Sequence, residues 1–126
     1  MKANYLLDTH VLLWLDSDMR RIPHDVTHAI DDADQVYYSA ASVWELSIKQ
    51  SLGKIQLARP ISRFVERSRF LELPVTTRYA QVAARLPLHH RDPFDRMLIA
   101  QAVSEGLVLV TADGRLAAYG LSTMRV

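Results

Sequence analysis

The sequence predicts an α/β fold in which a mostly parallel sheet lies between helices, as a three-layer α/β/α sandwich. Short apolar runs of strand length alternate with stretches of helical pattern, and this alternation requires crossover connections between parallel strands. Of the 126 residues, 49% are hydrophobic and 23% are charged, which is enough apolar material for a buried core. We therefore expect one domain over residues 1–126.

The first three predicted elements are a strand and two helices. Residues 5–7, Tyr-Leu-Leu, form an apolar run that suits a buried strand. Asp8 or Thr9 can cap the helix predicted over 10–16. A proline then opens a second helix over 23–32, because its fixed φ suits the first helical position.

A second strand and a long helix follow. Residues 36–38, Val-Tyr-Tyr, are of the types enriched in strands. Ser39 caps a helix that reaches Leu52, and Gly53 ends it. Residues 55–57 are predicted to be a short extended segment.

The rest of the chain continues the same alternation. The remaining predicted elements are a helix over 60–69, a strand over 71–75, a helix over 77–86, a loop over 87–91, a helix over 93–106, a strand over 107–110 and a helical turn over 114–119. Asp92 and Pro93 mark the start of the longest of these helices, and Gly106 marks its end.

Composition excludes several classes of protein. The sequence has no cysteine, which excludes a disulfide scaffold, a thiolate nucleophile and a cysteine-ligated zinc site. No apolar run approaches the roughly 18 residues of a membrane span, and the N-terminal residues lack the pattern of a signal peptide. We expect a cytoplasmic protein with no membrane association.

Charge is distributed unevenly along the chain. Residues 1–50 carry four Lys or Arg against eight Asp or Glu, whereas residues 51–91 carry eight against two. Arg outnumbers Lys by twelve to three, and Arg binds phosphate bidentately and stacks on bases. This pattern favours a nucleic-acid ligand, although solvated helix faces explain it equally well.

Two acidic residues follow predicted strands. Asp8 comes directly after the first strand, and Asp113 comes shortly after the last. In open parallel sheets, ligands bind in the crevice outside the carboxyl ends of the strands. Aspartate is also common in turns and caps, so either residue alone has an ordinary explanation.

Two further acids lie on predicted helices among apolar residues. Glu45 is spaced to share a face with Ile48 and Leu52, and Asp95 lies on the apolar stripe of its helix. A carboxylate in such surroundings costs several kcal/mol unless it is paired or bound to a metal. The local alternatives are an ion pair between Glu45 and Lys49 and a capping role for Asp95.

One explanation covers all four acids, namely that they converge on divalent cations. A site made of carboxylate oxygens favours a hard ion, Mg²⁺ or Mn²⁺. Such ions neutralise phosphoryl oxygens and activate water for in-line attack. The residues therefore predict a metal-dependent phosphodiesterase.

Several segments together resemble a known family. They are Leu-Leu-Asp-Thr-His-Val at 6–11, Ser-Ala-Ala-Ser-Val-Trp-Glu-Leu at 39–46, the stretch 86–102 that begins Leu-Pro-Leu-His-His-Arg-Asp-Pro-Phe-Asp-Arg, and Leu-Val-Thr-Ala-Asp at 109–113. In this order they resemble the PIN domains, and among them the VapC-like toxins of bacterial type II toxin–antitoxin pairs. The resemblance covers nearly the whole chain.

The resemblance implies a PIN-type fold and a ribonuclease that uses Mg²⁺ or Mn²⁺. The catalytic and metal-binding acids of the family fall on Asp8, Glu45, Asp95 and Asp113, with Thr111 and Thr9 as supporting residues. Family members are usually homodimers. A cognate antitoxin holds them silent, its C-terminal segment covering the acidic site.

Residues near the helix start at 93 are candidates for RNA binding. Arg91 and Arg96 either clamp substrate phosphate or pair with the neighbouring acids. His90, with His89, either contacts phosphate or protonates the leaving oxygen, or is an ordinary polar loop residue. The His-His-Arg-Asp loop is not part of the general family pattern.

The two tryptophans have two interpretations of their own. Trp14 and Trp44 either stack on bases or serve as core or dimer contacts.

Two other function classes remain open from the sequence. One is a non-catalytic PIN-like domain that binds RNA or a protein partner. The other is a receiver-type signalling domain with a Mg²⁺ pocket, which normally has adjacent acids after its first strand and a lysine after its last. This chain has a single acid at Asp8 and no lysine beyond Lys54, which disfavours the receiver interpretation.

Overall fold

The computed structural model describes residues 3–126 and contains one five-stranded sheet in which every neighbouring pair is parallel. The strands are β1 (Tyr5–Leu7), β2 (Val36–Ser39), β3 (Leu71–Leu73), β4 (Val108–Thr111) and β5 (Thr123–Arg125). Their order in the sheet is β3-β2-β1-β4-β5. The predicted α/β fold with a parallel sheet is confirmed. Residues 1 and 2 of the predicted domain lie outside the described residues.

In the described part of the chain, six α-helices connect the strands. They are α1 (Thr9–Ser17), α2 (His24–Asp32), α3 (Ala40–Ser51), α4 (Ile61–Arg67), α5 (Thr77–Arg85) and α6 (Pro93–Glu105). Two 3₁₀ helices cover Met19–Arg21 and Gly114–Tyr119. Within residues 3–126, no helix combines the length and the apolarity needed to cross a bilayer.

The apolar core lies in two layers, one on each face of the sheet. Leu7 and Val110 face one layer, together with residues of α1, α2, α3 and α4. Leu6 and Leu109 face the other, together with residues of α6 and the second 3₁₀ helix. Because successive side chains of a strand point to opposite faces, the apolar residues of these central strands pack on both sides of the sheet.

Several predicted helix ends are made by the expected residues, although the Asp8 side chain makes no capping hydrogen bond at the start of α1. The Ser39 hydroxyl accepts a hydrogen bond from the Ala41 N–H at 3.0 Å at the start of α3. At the end of α6, Gly106 has a φ of 66°, a left-handed conformation that glycine adopts without strain.

Two elements differ from the prediction. Strand β5 was not expected, because its sequence Thr-Met-Arg has no apolar run and it pairs only with β4 at the sheet edge. The 3₁₀ helix at Met19–Arg21 was not expected either. Residues 55–57, predicted as a short extended segment, lie outside the helices and strands, and Ile55 and Leu57 pack against the first core layer.

Candidate active site

The candidate site lies at the carboxyl end of the sheet, between β1 and β4. In the order β3-β2-β1-β4-β5, the connections run outward in opposite directions from these two strands. Such a reversal opens a crevice in parallel sheets, and ligands bind there. Asp8 follows β1 directly, and Asp113 lies two residues beyond the end of β4. The topology therefore brings these two acids to the same crevice.

Asp8 is a buried carboxylate with only one of its oxygens satisfied. The residue is 3% exposed. Its Oδ2 accepts a hydrogen bond from the Thr111 hydroxyl at 2.5 Å, and Thr111 in turn accepts one from the Asp113 N–H at 3.0 Å. Its Oδ1 is buried and has no hydrogen-bond partner among the described residues. Burial raises the pKa of the Asp8 carboxyl, and the hydrogen bond from Thr111 partly opposes this.

Glu45 enters the site from the buried face of α3. It is 9% exposed, and Lys49 Nζ lies 2.9 Å from its Oε2, which is the ion pair considered from the sequence. The predicted face was wrong, because Ile48 and Leu52 are exposed. The buried face of α3 instead follows residues 41, 42, 45 and 46.

Thr9, one of the predicted supporting residues, links the helix that follows Asp8 to the helix that carries Glu45. It is buried, and its hydroxyl lies 2.9 Å from the Ser42 hydroxyl, so a hydrogen bond joins the start of α1 to α3.

Asp95 projects into the crevice from the first turn of α6. Asp92 caps this helix, because its Oδ1 accepts hydrogen bonds from the N–H groups of residues 94 and 95. The Asp95 side chain is therefore free to face His90, whose Nε2 lies 3.1 Å from its Oδ2. Burial, followed by the negative charges of Asp8, Asp92, Glu45 and Asp113, raises the pKa of Asp95 to about 7.

Asp113 is the most exposed of the four acids and is held by an arginine. Arg115 Nε lies 3.0 Å from its Oδ1, and Arg115 Nη2 lies 2.7 Å from its Oδ2. The Arg115 guanidinium lowers the pKa of Asp113 to about 2. Unlike Asp95, this carboxylate is ionised throughout the physiological range.

His90 joins the two acids of the crevice. Its Nε2 lies 3.1 Å from Asp95 Oδ2 and 3.6 Å from Asp113 Oδ2, and its side chain is 10% exposed. The Asp92 N–H donates to His90 Nδ1 at 3.2 Å, and Arg115 Nη2 lies 3.2 Å from His90 Nε2. Ligand atoms of His90, Asp95 and Asp113 all lie within 4.8 Å of one another.

The chemistry of this donor set fits a hard divalent cation. The available donors are carboxylate oxygens with one imidazole, and each of Asp8, Glu45 and Asp113 presents negative charge to Asp95. The unpartnered Oδ1 of Asp8 is the kind of buried polar atom that a bound cation would satisfy. Asp8, Asp95, Asp113 and Glu45 are the residues that could hold such an ion.

Comparison with known proteins identifies the family. The sequence profile of the PIN domain matches residues 5–121. The chain belongs to the PIN-domain family. A relative, Ribonuclease VapC22 of Mycobacterium tuberculosis, is 32% identical over 117 residues, which cover 90% of each of the two chains.

Solved structures share the PIN fold of this chain. One is a chain of VapBC2 from Rickettsia felis, bound to a DNA fragment from its promoter, with a TM-score of 0.75 and 13% identity over 97% of this chain and 98% of that one. Another is a chain of DNA-bound VapBC from Salmonella typhimurium, with a TM-score of 0.73 and 20% identity over 98% of each. The strand order of this PIN domain also differs from the 2-1-3-4-5 order of receiver-like folds, so the receiver interpretation is wrong.

Within this PIN domain, Arg96 is engaged by the backbone rather than free for substrate. Its Nη1 donates to the carbonyls of residues 87 and 90, at 3.0 and 3.1 Å. Its Nη2 donates to the carbonyls of residues 83 and 86, at 2.7 and 2.8 Å. Arg96 thus ties the end of α5 to the loop that carries His90, whereas Arg91 is exposed on the same loop.

Two residues of the site were missed by sequence reasoning. The Tyr119 hydroxyl donates to the Pro87 carbonyl at 2.7 Å and accepts from the His90 N–H at 2.8 Å, so it fixes the loop. Arg115 binds Asp113. The only sequence signal for Arg115 is its position two residues after a candidate ligand. No local signal predicts Tyr119, because its partners lie about thirty residues away.

Proposed function

We propose that this chain is a divalent-metal-dependent endoribonuclease and the toxin component of a type II toxin–antitoxin pair. One observation carries the proposal. Asp8 is buried at the point where the strand order reverses, and its Oδ1 lacks a hydrogen-bond partner among the described residues. Its negative charge and those of Glu45 and Asp113 raise the pKa of Asp95 in the same crevice. A fold tolerates such a concentration of negative charge when a cation neutralises it.

Asp8, Asp95 and Asp113 would hold Mg²⁺ or Mn²⁺, directly or through water, with Glu45 at the edge of the site. A bound ion of this kind neutralises phosphoryl oxygens and lowers the pKa of its bound water. Thr111 fixes the orientation of Asp8, and His90 fixes that of Asp95. Glu45 binds the ion or orients the attacking water, with Lys49 compensating its charge when the ion is absent.

RNA is the proposed substrate class. The matching relative is named a ribonuclease, and the twelve arginines of the chain suit a polyanionic ligand. Arg91 remains the proposed phosphate contact, because it is exposed on the loop beside the site. For Arg96 and His90, the hydrogen bonds support positioning roles, in which they hold the loop and Asp95 in place.

An antitoxin partner is part of the same proposal. The structural neighbours from Rickettsia felis and Salmonella typhimurium are VapBC complexes bound to DNA. We expect a cognate antitoxin whose C-terminal segment covers the acids, and a homodimer of this chain. A neighbouring gene for a small protein with a DNA-binding N-terminal half and an arginine-containing tail would support this partner.

A cleavage assay tests the proposed function. The purified chain is incubated with a mixed-sequence RNA in EDTA, in Mg²⁺ and in Mn²⁺. We expect cleavage only with the metals and none by Asp8→Asn, which should keep the wild-type circular dichroism spectrum. Asp31→Asn is the matched control, because Asp31 is exposed on α2, and it should cleave normally. Full activity of Asp8→Asn would refute the site, and Mn²⁺ binding without scission would favour the non-catalytic alternative.

A further inference from the structure

A second feature beside the four acids has no role in the mechanism above. A cavity of about 510 Å³ opens next to them, and Asp8 and Asp113 contribute to its lining. The lining also includes His10, Trp14 and Arg21, from α1 and the 3₁₀ helix after it. A cavity of this volume is large enough for a small organic ligand such as a nucleotide.

The part of the lining that comes from α1 and the 3₁₀ helix is aromatic and cationic. His10 and Trp14 are four residues apart on α1 and so share one face of the helix, with ring centroids 6.0 Å apart and an angle of 41° between the rings. The Arg21 guanidinium lies over the indole of Trp14, with Cζ 5.2 Å from the ring centroid. Flat aromatic rings and guanidinium groups are the side chains on which unpaired bases stack.

These side chains are also accessible. His10 is exposed, Trp14 is half-buried at the edge of the first core layer, and the Arg21 side chain is 61% exposed. A tryptophan that served only the core would be covered. Here the indole contributes to the wall of an open cavity.

The lining of the cavity combines both signs of charge. The carboxylates would bind a phosphodiester only through a cation, whereas the Arg21 guanidinium, which also pairs with Asp18 at 3.2 Å, attracts phosphate directly. A single strand fits this lining when one phosphate lies at the acids, its base lies on the indole, and a neighbouring phosphate lies near Arg21. A duplex base is already stacked and cannot enter.

We infer that His10, Trp14 and Arg21 form a nucleobase subsite for single-stranded RNA, which holds the nucleotide next to the scissile phosphate. The inference rests on the proposed ribonuclease function for its substrate class. It adds the side chains that bind the strand and favour unpaired over paired RNA.

Fluorescence of Trp14 tests the subsite directly. Trp44 lies in a separate apolar groove, so Trp44→Phe leaves Trp14 as the single indole, and Asp95→Asn in the same chain prevents cleavage. Titration with a short single-stranded RNA in Mg²⁺ should quench this fluorescence saturably, whereas a blunt RNA duplex should not. Saturable RNA binding without any change in Trp14 fluorescence would overturn the inference.

Affinity measurements on further variants provide a second readout. In the Asp95→Asn chain, with labelled RNA, Trp14→Leu should weaken binding about 5- to 150-fold, the usual range for one lost base stack. Arg21→Ala should reduce the slope of log affinity against log salt by about one, as expected for one lost phosphate contact. Trp44→Leu is the matched control and should bind as before.

The outcomes separate this inference from the function on which it rests. Normal affinity and salt slope for folded Trp14→Leu and Arg21→Ala would refute the subsite, even if the metal-dependent cleavage were found as proposed. Equal losses for Trp14→Leu and Trp44→Leu would also refute it. Absence of any RNA binding or cleavage by the unmodified chain would overturn both.

Discussion

Replacing Asp95 with asparagine keeps the shape of the side chain and removes one of the negative charges that lie close together in the site. The pKa of Asp95 is raised from the ordinary value of 3.8 to about 7, first by burial and then by the neighbouring carboxylates. Ionising Asp95 is therefore less favourable in the folded than in the unfolded chain by about 4 kcal/mol. The variant Asp95→Asn should recover part of this free energy.

The pH dependence follows from the direction of the shift. Between pH 3.8 and about 7, the folded chain holds a proton on Asp95 that the unfolded chain has lost. The free energy of unfolding of the wild type therefore falls as pH rises through this window. The loss is about 1 kcal/mol at pH 4.5 and reaches about 4 kcal/mol above pH 7. Asparagine does not titrate, so the variant avoids this loss.

The stability that Asp95→Asn gains is expected to be smaller than about 4 kcal/mol. The Asp95 side chain is 23% exposed, so water screens part of its charge. Asparagine keeps an oxygen beside His90 Nε2, but the polar contact between them loses the assistance of the carboxylate charge, about 1 kcal/mol. We expect Asp95→Asn to be more stable than the wild type by about 2 kcal/mol at pH 8, and to be no more stable than it at pH 4.5.

Urea denaturation in EDTA at the two pH values measures this difference. Asp31→Asn, which removes an exposed carboxylate, should match the wild type at both. A variant that is less stable than the wild type at pH 8, or a stability difference that is the same at both pH values, would refute the electrostatic reasoning. Adding Mn²⁺ should stabilise the wild type and leave Asp95→Asn nearly unchanged.

Three further predictions concern the groups around Asp95. Arg96→Ala should lower the free energy of unfolding by about 2–4 kcal/mol in urea denaturation, because it removes four hydrogen bonds to backbone carbonyls. Normal stability with weakened RNA binding would instead favour the substrate role. Arg115→Ala should tighten Mn²⁺ binding several-fold in calorimetry, since the guanidinium no longer competes for Asp113; weaker binding would contradict this. Mn²⁺ affinity should fall as pH drops below 7, with proton release detected in buffers of different ionisation enthalpy, and a flat profile would contradict protonation of Asp95.

The parallel α/β fold could be predicted because its signals are local. Strand β1 is apolar at every position and β4 at every position except its last, Thr111, and each is followed within two residues by an aspartate. Once the strands are parallel, these aspartates must lie at one edge of the sheet. Strand β5 could not be predicted in this way, because its three residues form no apolar run, although Met124 packs against the core.

The contacts of the site were less predictable than the residues in it. Glu45 was selected for lying beside Ile48 and Leu52, yet both are exposed, and Glu45 is buried because it shares the other face of α3 with Ser42 and Leu46. Helical spacing shows which residues share a face, but it does not show which face meets the sheet.

The role of Arg96 depends on the path of a loop. Its four carbonyl partners belong to the end of α5 and to the segment that follows, so only the folded arrangement of that loop shows that its guanidinium is occupied. Trp44 was interpreted as a stacking, core or dimer residue. At 63% exposure it is not part of the core.

Anomalous diffraction from crystals soaked in Mn²⁺ tests the central claim most directly, because it locates the ion without relying on turnover. We expect a peak in the crevice between β1 and β4, within coordination distance of Asp8 Oδ1 and of the carboxylates of Asp95 and Asp113. Loss of the peak in crystals of Asp8→Asn would strengthen the assignment. A fully soaked crystal with no peak among these carboxylates, or with Mn²⁺ bound only elsewhere on the chain, would contradict it.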